Sequence, residues 1–430
     1  MKKCLFIVLA LALSMLVACG GNGEEIRNQT EAPQTPGEPA RGIAGAVMIS
    51  EGPGHALALM DDGTVRSWFM MTHVQQVPDE ATGSTYLTDI IAVSAGQGYA
   101  LALRDDGTVW AWGGNDRGQL GIGTTSEDEY SSPMQVVGGA AGGTYLTDII
   151  AISAGGGHSI ALRSDGTVWA WGRNGESQLG IGATSEDVHP SPVQVVGGEA
   201  GGTYLTDIIA ISAGHGHTLA LRADGTVWVW GVRSISGVVP SAEFIQNSDH
   251  VVSNPVQVGS RSGFGEDALL TDVIAISAGN SHSLALKADG TVWSWGDNSD
   301  GALGMGSTLP RNQSLPVQVL SGADDGTYLS DVVAICAGSH SLALRADGTV
   351  WSWGGNTHSQ LGIGDTPQRM VLSPMQVVAG AAEGTHLSSI IAISVGTDAS
   401  LALMDDGTVW EWGHRARLIL NTSPVQVELQ

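Results

Sequence analysis

The four residues DGTV occur seven times, beginning at Asp62, Asp106, Asp165, Asp224, Asp289, Asp347 and Asp406. The intervals between copies are 44, 59, 59, 65, 58 and 59 residues. Nothing else in the chain restricts the fold as strongly. A repeat of this kind marks one supersecondary unit stacked on copies of itself, because a single unit cannot bury its own apolar face. The length of 430 residues would by itself suggest about three domains. The repeat replaces that expectation with one closed or stacked architecture.

Residues 273–319 illustrate the unit. VIAISAG alternates large and small apolar residues, as a strand does. SLALK reads as a second strand, Ala-Asp-Gly as a turn and TVWSWG as a third strand. A looser stretch, DNSDGALGMGSTLPRNQSL, leads to a short fourth strand, PVQV. Asp-Gly between two alternating runs is a hairpin signal, since glycine takes the positive-φ position. Residues i and i+2 of a strand share a face. Trp351 and Trp353 therefore project together, while Val350 and Ser352 face the other way. All 13 tryptophans fall in this frame, and the first repeat keeps only Trp68, with Arg66 in the partner slot. Such sheets gain stability by stacking radially, each set of tryptophans filling the small face of the next sheet. The expected fold class is all-β: a seven-bladed β-propeller with about four antiparallel strands per blade.

The phrases AGNSHSLAL, DGTVWSWG and GNDRGQLGIG resemble the regulator-of-chromosome-condensation repeat family. The resemblance covers residues 43–430 and implies a seven-bladed propeller that serves as a protein-interaction platform. The GQLG phrase stands at residues 118–121, as SQLG at 177–180, as GALG at 301–304 and as SQLG at 359–362. It is missing from the first, fourth and seventh repeats. The plant photoreceptor branch of the family carries a Trp-and-Arg-bearing phrase before its histidine. The slot here reads GNSH, GGGH or GHGH, so light sensing finds no support and the tryptophans read as packing.

The N-terminus is separate. Lys2 and Lys3 precede an apolar run over residues 5–18, long enough for a signal peptide and short for a spanning helix. The run ends in LVAC, which resembles a bacterial lipobox with Cys19 as the lipidated residue. The expected division is a lipoprotein signal peptide over 1–18, lipidated Cys19 and a flexible linker over 19–42, and the propeller over 43–430. Residues 20–42 are rich in Gly, Pro, Glu and Thr and bury too little to order themselves. The protein is expected to sit outside the cytoplasm, tied to the cell membrane or outer membrane by lipid alone. The third cysteine beyond Cys4 and Cys19, Cys336, lies in IAICAG where sister repeats have Ser, and reads as a small buried residue. Net charge is −25, and the charges of residues 1–42 cancel, so the propeller carries all of it. Phosphate binding needs Lys or Arg, so nucleic acid is not an expected partner.

Antiparallel order assigns each connection to a face. With the first strand drawn upward, the AGxGH connection and the loop after WG lie on the upper face. The DG turn and the GGTYLTD connection lie on the lower face. The lower face gathers the turn aspartates and Asp89, Asp148, Asp207, Asp272 and Asp331, with Tyr86, Tyr145, Tyr204 and Tyr328 recurring beside Leu269 and His386. Each Asp is expected to bond local backbone N–H groups and each Tyr to pack on the neighbouring blade. The upper face gathers His55, Tyr99, His158, His217, His282 and His340, with Ala399 in the seventh slot. Equivalent points on separate blades lie too far apart for one ion, given metal bonds of ~2 Å. Structural imidazoles bonded to loop carbonyls are expected instead.

Variable loops on a rigid scaffold are where binding usually resides. The upper-face candidates for partner contact are Met70, Met71, Tyr130, His189, Phe244, His414, Arg415 and Arg417. In a closed ring, the first and last blades would bring the two methionines beside the basic cluster. No GxSxG, HExxH or phosphate-loop motif is present. DNSDG at 297–301 lacks the alternating ligands and closing Glu of a calcium loop. The expectation is a monomeric binding module for another protein, without catalysis, cofactor or metal. The competing reading is an envelope enzyme or glycan-binding protein with a site assembled from propeller loops. Nucleotide exchange, as in the family's eukaryotic namesake, would need a cytoplasmic GTPase on the wrong side of the membrane.

Overall fold

The computed structural model describes residues 45–69, 74–79, 83–182, 188–198, 201–232, 251–259, 269–322, 326–380, 385–415 and 419–429. Each repeat forms one four-stranded antiparallel sheet whose strands follow chain order, and seven such sheets are present. In the fifth blade the strands are Val273–Ala278, His282–Lys287, Val292–Asp297 and Asn312–Gln318. Gly290 turns the hairpin between the second and third of these at φ 79°. The first strand of every blade is innermost, and all seven line a central channel.

The second strand is buried along nearly its whole length, because a neighbouring blade covers each of its faces. Cross-strand pairing sets Ala343 beside Trp351 and Ser341 beside Trp353. Small residues on the tryptophan face thus leave room for the indoles. Trp353 and Ala343 then pack on Leu284, Leu286 and Val292 of the preceding blade. The tryptophans therefore meet a leucine and valine face, not the small face expected from the sequence. The small residues share the tryptophans' own side.

A second contact runs around the channel. The backbone N–H of Ala95 donates to Ser50 Oγ at 2.9 Å, one blade to the previous one. The same bond joins Ala154 to Ser94, Ala213 to Ser153, Ala278 to Ser212 and Ala337 to Ser277. Cys336 stands in the sixth blade's serine slot, and burial pushes its thiol up to about 11. It is half-buried, and its thiol takes the serine's place in accepting from the Val395 N–H of the next blade.

Ring closure uses no exchanged strand. The C-terminal strand Ile419–Val427 pairs with Val409–Arg415 of its own repeat. The first and seventh innermost strands, Ala46–Gly52 and Ile390–Val395, then lie side by side. Glu51 N–H donates to Ser394 Oγ at 2.8 Å, and Ala46 N–H to the Gly407 carbonyl at 3.0 Å. Ala46, Ile49, Ala58 and Met60 pack there against Leu401, Leu403 and Val409.

The outermost strands are longer than the expected PVQV. They include Ser126–Gln135 and His189–Gln194, so Tyr130 and His189 lie on outermost strands and not in loops. The first blade is the exception, with only Gln75–Gln76 in this place. Among the described residues, no helix is long and apolar enough to cross a membrane.

Candidate binding faces

On the upper side, most buried polar groups are engaged in joining blades. The Gln119 carbonyl accepts from Trp171 Nε1 and from Ser159 Oγ, both of the next blade, at 2.8 Å each. The Gln178 carbonyl does the same for Trp230 and Thr218, Ala302 for Trp353 and Ser341, and Gln360 for Trp412 and Ser400. The GQLG phrase is thus a socket for the following blade's second tryptophan. Gly121 is required there: its φ is 69°, and a Cβ would lie 2.7 Å from Trp171 Nε1. Blades that follow a repeat without this phrase lack the socket. Trp68 and Trp295 are two such cases, and their Nε1 atoms are buried with no hydrogen-bond partner among the described residues.

The histidines extend the same network. His158 Nε2 lies 2.9 Å from Thr218 Oγ1, His217 Nε2 2.9 Å from Ser283 Oγ, His282 Nε2 2.8 Å from Ser341 Oγ and His340 Nε2 2.6 Å from Ser400 Oγ. Thr218, Ser341 and Ser400 already donate to a carbonyl, so their oxygens accept, which assigns the proton to Nε2 in His158, His282 and His340. Burial lowers His158, His217 and His340 to about 3 and His282 to about 4, which keeps the rings neutral. The histidines are structural, but their partner is a hydroxyl on the next blade and not the expected loop carbonyl. Tyr99 plays a related part, donating to the His158 carbonyl at 2.5 Å. For His55 the equivalent position on the next blade is Ala100, which has no hydroxyl, so this bond is missing there. Among the described residues, no group of three or more His, Cys, Asp or Glu is arranged to hold a metal.

The lower side carries a different device. Asp347 Oδ1 accepts the N–H of Thr349 at 3.0 Å and its hydroxyl at 2.6 Å, and Thr349 Oγ1 accepts Trp351 Nε1 at 3.3 Å. The triplet recurs from the second blade to the seventh. In the first, Arg66 Nη1 replaces the indole at 3.2 Å from Thr64 Oγ1. The threonine hydroxyl and N–H hold Asp289 and Asp406 below the usual carboxylate range. The aspartates of the LTD phrase, which reads LSD at Asp331, take φ near 60°, and four of them pair with the base that ends their blade's second strand. The distances are 3.1 Å for Asp148–Arg163, 3.2 Å for Asp207–Arg222, 3.8 Å for Asp272–Lys287 and 3.0 Å for Asp331–Arg345. Arg104 instead reaches the buried Asp79 at 3.0 Å and stacks 4.7 Å from the Trp110 ring centroid. The DG-turn aspartates therefore bond local backbone N–H groups as expected, whereas those before the first strands, such as Asp148 and Asp207, bond a neighbouring hydroxyl and a basic side chain instead.

The tyrosines depart from expectation. Tyr86, Tyr145, Tyr204 and Tyr328 are 43%, 45%, 45% and 52% exposed, and Leu269 is 40% exposed. Each of the four tyrosines bridges to the segment following its blade's outermost strand, as in Val137–Tyr145 and Val196–Tyr204, and His386 repeats the bridge with Val378. The backbone holds them in equivalent places while the rings face solvent. Tyr328 also borders an open pocket with Trp351, Arg345, Ser330 and Thr327.

Of the sequence-selected contact residues, Tyr130, His189, His414 and Arg415 lie among the described residues. Tyr130 lies on the second blade's outermost strand, half-buried against that blade's core, and His189 on the third blade's. His414 lies on the seventh blade's third strand, its ring 5.2 Å from that of His358, which in turn places Nδ1 3.1 Å from Asp398 Oδ1. Arg415 ends the same strand. Cys19, Met70, Met71, Phe244 and Arg417 lie outside the described residues. The socket was missed, and the tyrosines were expected to pack and not to be exposed. GQLG followed by a tryptophan pair in the next repeat was the available signal for the first.

Comparison with known proteins places this geometry. A profile described as RCC1-like domain matches residues 70–426. The human protein named probable E3 ubiquitin-protein ligase HERC6 is 33% identical over 261 residues, which is 60% of this chain and 22% of that protein. RCC1 domain-containing protein RUG3, mitochondrial, of Arabidopsis thaliana is 30% identical over 287 residues, 64% of this chain and 58% of that one. The chain thus spans less than two thirds of the length of these relatives. Among solved structures, Prp20p of Saccharomyces cerevisiae superposes with a TM-score of 0.60 at 24% identity, covering 79% of this chain and 77% of the other. Human WBSCR16 superposes with a TM-score of 0.62 at 20% identity, covering 89% and 90%. With seven blades, their sockets and the matching profile in agreement, the chain belongs to the RCC1-like domain family.

Proposed function

We propose that this chain is a binding module held outside the cytoplasm by lipid on Cys19, and that one end of its propeller holds another protein. The exposed tyrosine belt carries this reading. Tyrosine is enriched at protein contact surfaces, and this scaffold buries nearly all of its tryptophans while leaving four equivalent tyrosines exposed. Yeast Prp20p, a neighbour in fold, has binding properties to Gsp1p and histones, which supports a protein as partner. The module itself performs no chemistry in this reading.

The anchor supplies location. Lys2, Lys3, the apolar run and LVAC support a lipoprotein signal, and residues 20–42 supply a tether of roughly 25–30 Å r.m.s.. Fractionation of cells expressing the full chain or its Cys19→Ser variant tests this part. The full chain is expected in the membrane fraction and the variant in the soluble fraction; retention of both in the membrane contradicts the anchor. Affinity capture from the membrane fraction tests the binding part. A partner lost when Tyr145, Tyr204 and Tyr328 become Ser supports the reading, and a chain that captures nothing contradicts it.

A further inference from the structure

We infer that the lower face docks a lysine- and arginine-rich extended segment of another protein. This rests on the binding-module reading and adds the chemistry of the partner.

Two features coincide on that face. Tyr86, Tyr145 and Tyr204 stand in three successive equivalent places, Leu269 takes the fourth and Tyr328 the fifth, and each tyrosine is 43–52% exposed. The DG turns around them carry exposed carboxylates, among them Asp106, Asp165 and Asp224. Those carboxylates bond their own threonines, which leaves their charge in place. The nearby bases are shared with other carboxylates: Arg163, Arg222 and Arg345 pair with the aspartates before the first strands and Arg104 with Asp79, while Arg222 also lies 4.0 Å from Asp224. A cationic side chain is the group that gains from an aromatic face and a neighbouring carboxylate together. The blades already show this preference internally, with Arg104 over Trp110 and Arg345 over Trp351. Repetition from blade to blade favours an extended ligand that touches several equivalent places in turn.

Other occupants fit less well. A second copy would bring 43 acidic against 18 basic side chains to an acidic face. The chain's own first 42 residues have balanced charge and offer no basic run. Nucleic acid would set phosphates against aspartates.

The test uses the full chain in mild detergent and a fluorescein-labelled 20-residue peptide of Lys, Arg, Gly and Ser, followed by anisotropy. Binding is expected, with about tenfold weakening when Tyr145, Tyr204 and Tyr328 are all Ser and little change when all are Phe, since Phe keeps the ring face. An unchanged thermal midpoint in the Ser variant confirms that its fold is intact. Equal binding by the wild type and the Ser variant overturns the inference, as does equal binding of a peptide with Glu in place of Lys and Arg. Absence of peptide binding also overturns it. If affinity capture still yields a Tyr-dependent partner in that case, the binding-module reading stands and only the partner's chemistry falls.

Discussion

Two tryptophans in the same structural slot carry unequal loads. Trp412 is fully buried and donates to the Gln360 carbonyl at 2.9 Å, whereas Trp295 is as deeply buried and its Nε1 makes no bond among the described residues. Replacing either with Phe leaves a similar gap, so the difference isolates the hydrogen bond. Trp412→Phe is expected to cost about 1–2 kcal/mol more than Trp295→Phe. Urea unfolding of the two variants checks this, and equal costs would contradict the socket. At this scale the sequence was only half legible. The tryptophan pair and the DG turn are local, and their period of two and their glycine expose them. The partner of His158 lies 60 residues away on the next blade, and that of Trp171 lies 52 residues away on the preceding one. Nothing local in AGGGH names Thr218 as the hydroxyl that completes it. The exposure of the tyrosines was hidden for a related reason: recurrence identifies a shared place without saying whether that place is covered.

Among the strands, the junction of the first and seventh blades differs from the others. Glu51 takes the slot that holds Ala95, Ala154, Ala213, Ala278 and Ala337 elsewhere, and Glu411 takes that of Ala111, Ala170 or Ser352. Ala399 and Ala56 replace the histidine and the hydroxyl, and Trp68 has no socket. Burial, and then the nearby Glu411, raise the Glu51 carboxyl well above its ordinary 4.5. The native state therefore holds that proton more tightly than the unfolded chain. Stability from this group is present below about pH 4.5 and is lost as pH rises through the raised value. Glu411→Ser, which restores the residue of the fifth and sixth blades, removes one cause. Its thermal midpoint is expected to fall less steeply than the wild type's between about pH 5 and pH 8. Parallel curves would show that the two carboxylates do not interact. Repeat comparison alone exposes both glutamates. Their meeting became visible only with the order in which the ring closes.

For the whole molecule, the seven repeats were sufficient to read the propeller, because each blade's strands come from one continuous segment and no strand is exchanged at closure. Most buried polar side chains then have a place in the scaffold. Serines clamp the inner strands, histidines and GQLG carbonyls join the upper side, and Asp-Thr-Trp triplets brace the lower side. The tyrosine belt is left without a scaffold role, and the account rests on that remainder. A photocrosslinking residue at the position of Tyr204, in the membrane-tethered full chain, tests it most directly, with the same probe at the position of His358 on the upper side as comparison. The account predicts a discrete protein adduct from the Tyr204 position and none from His358. An adduct from the upper position alone, or none from either, would contradict it.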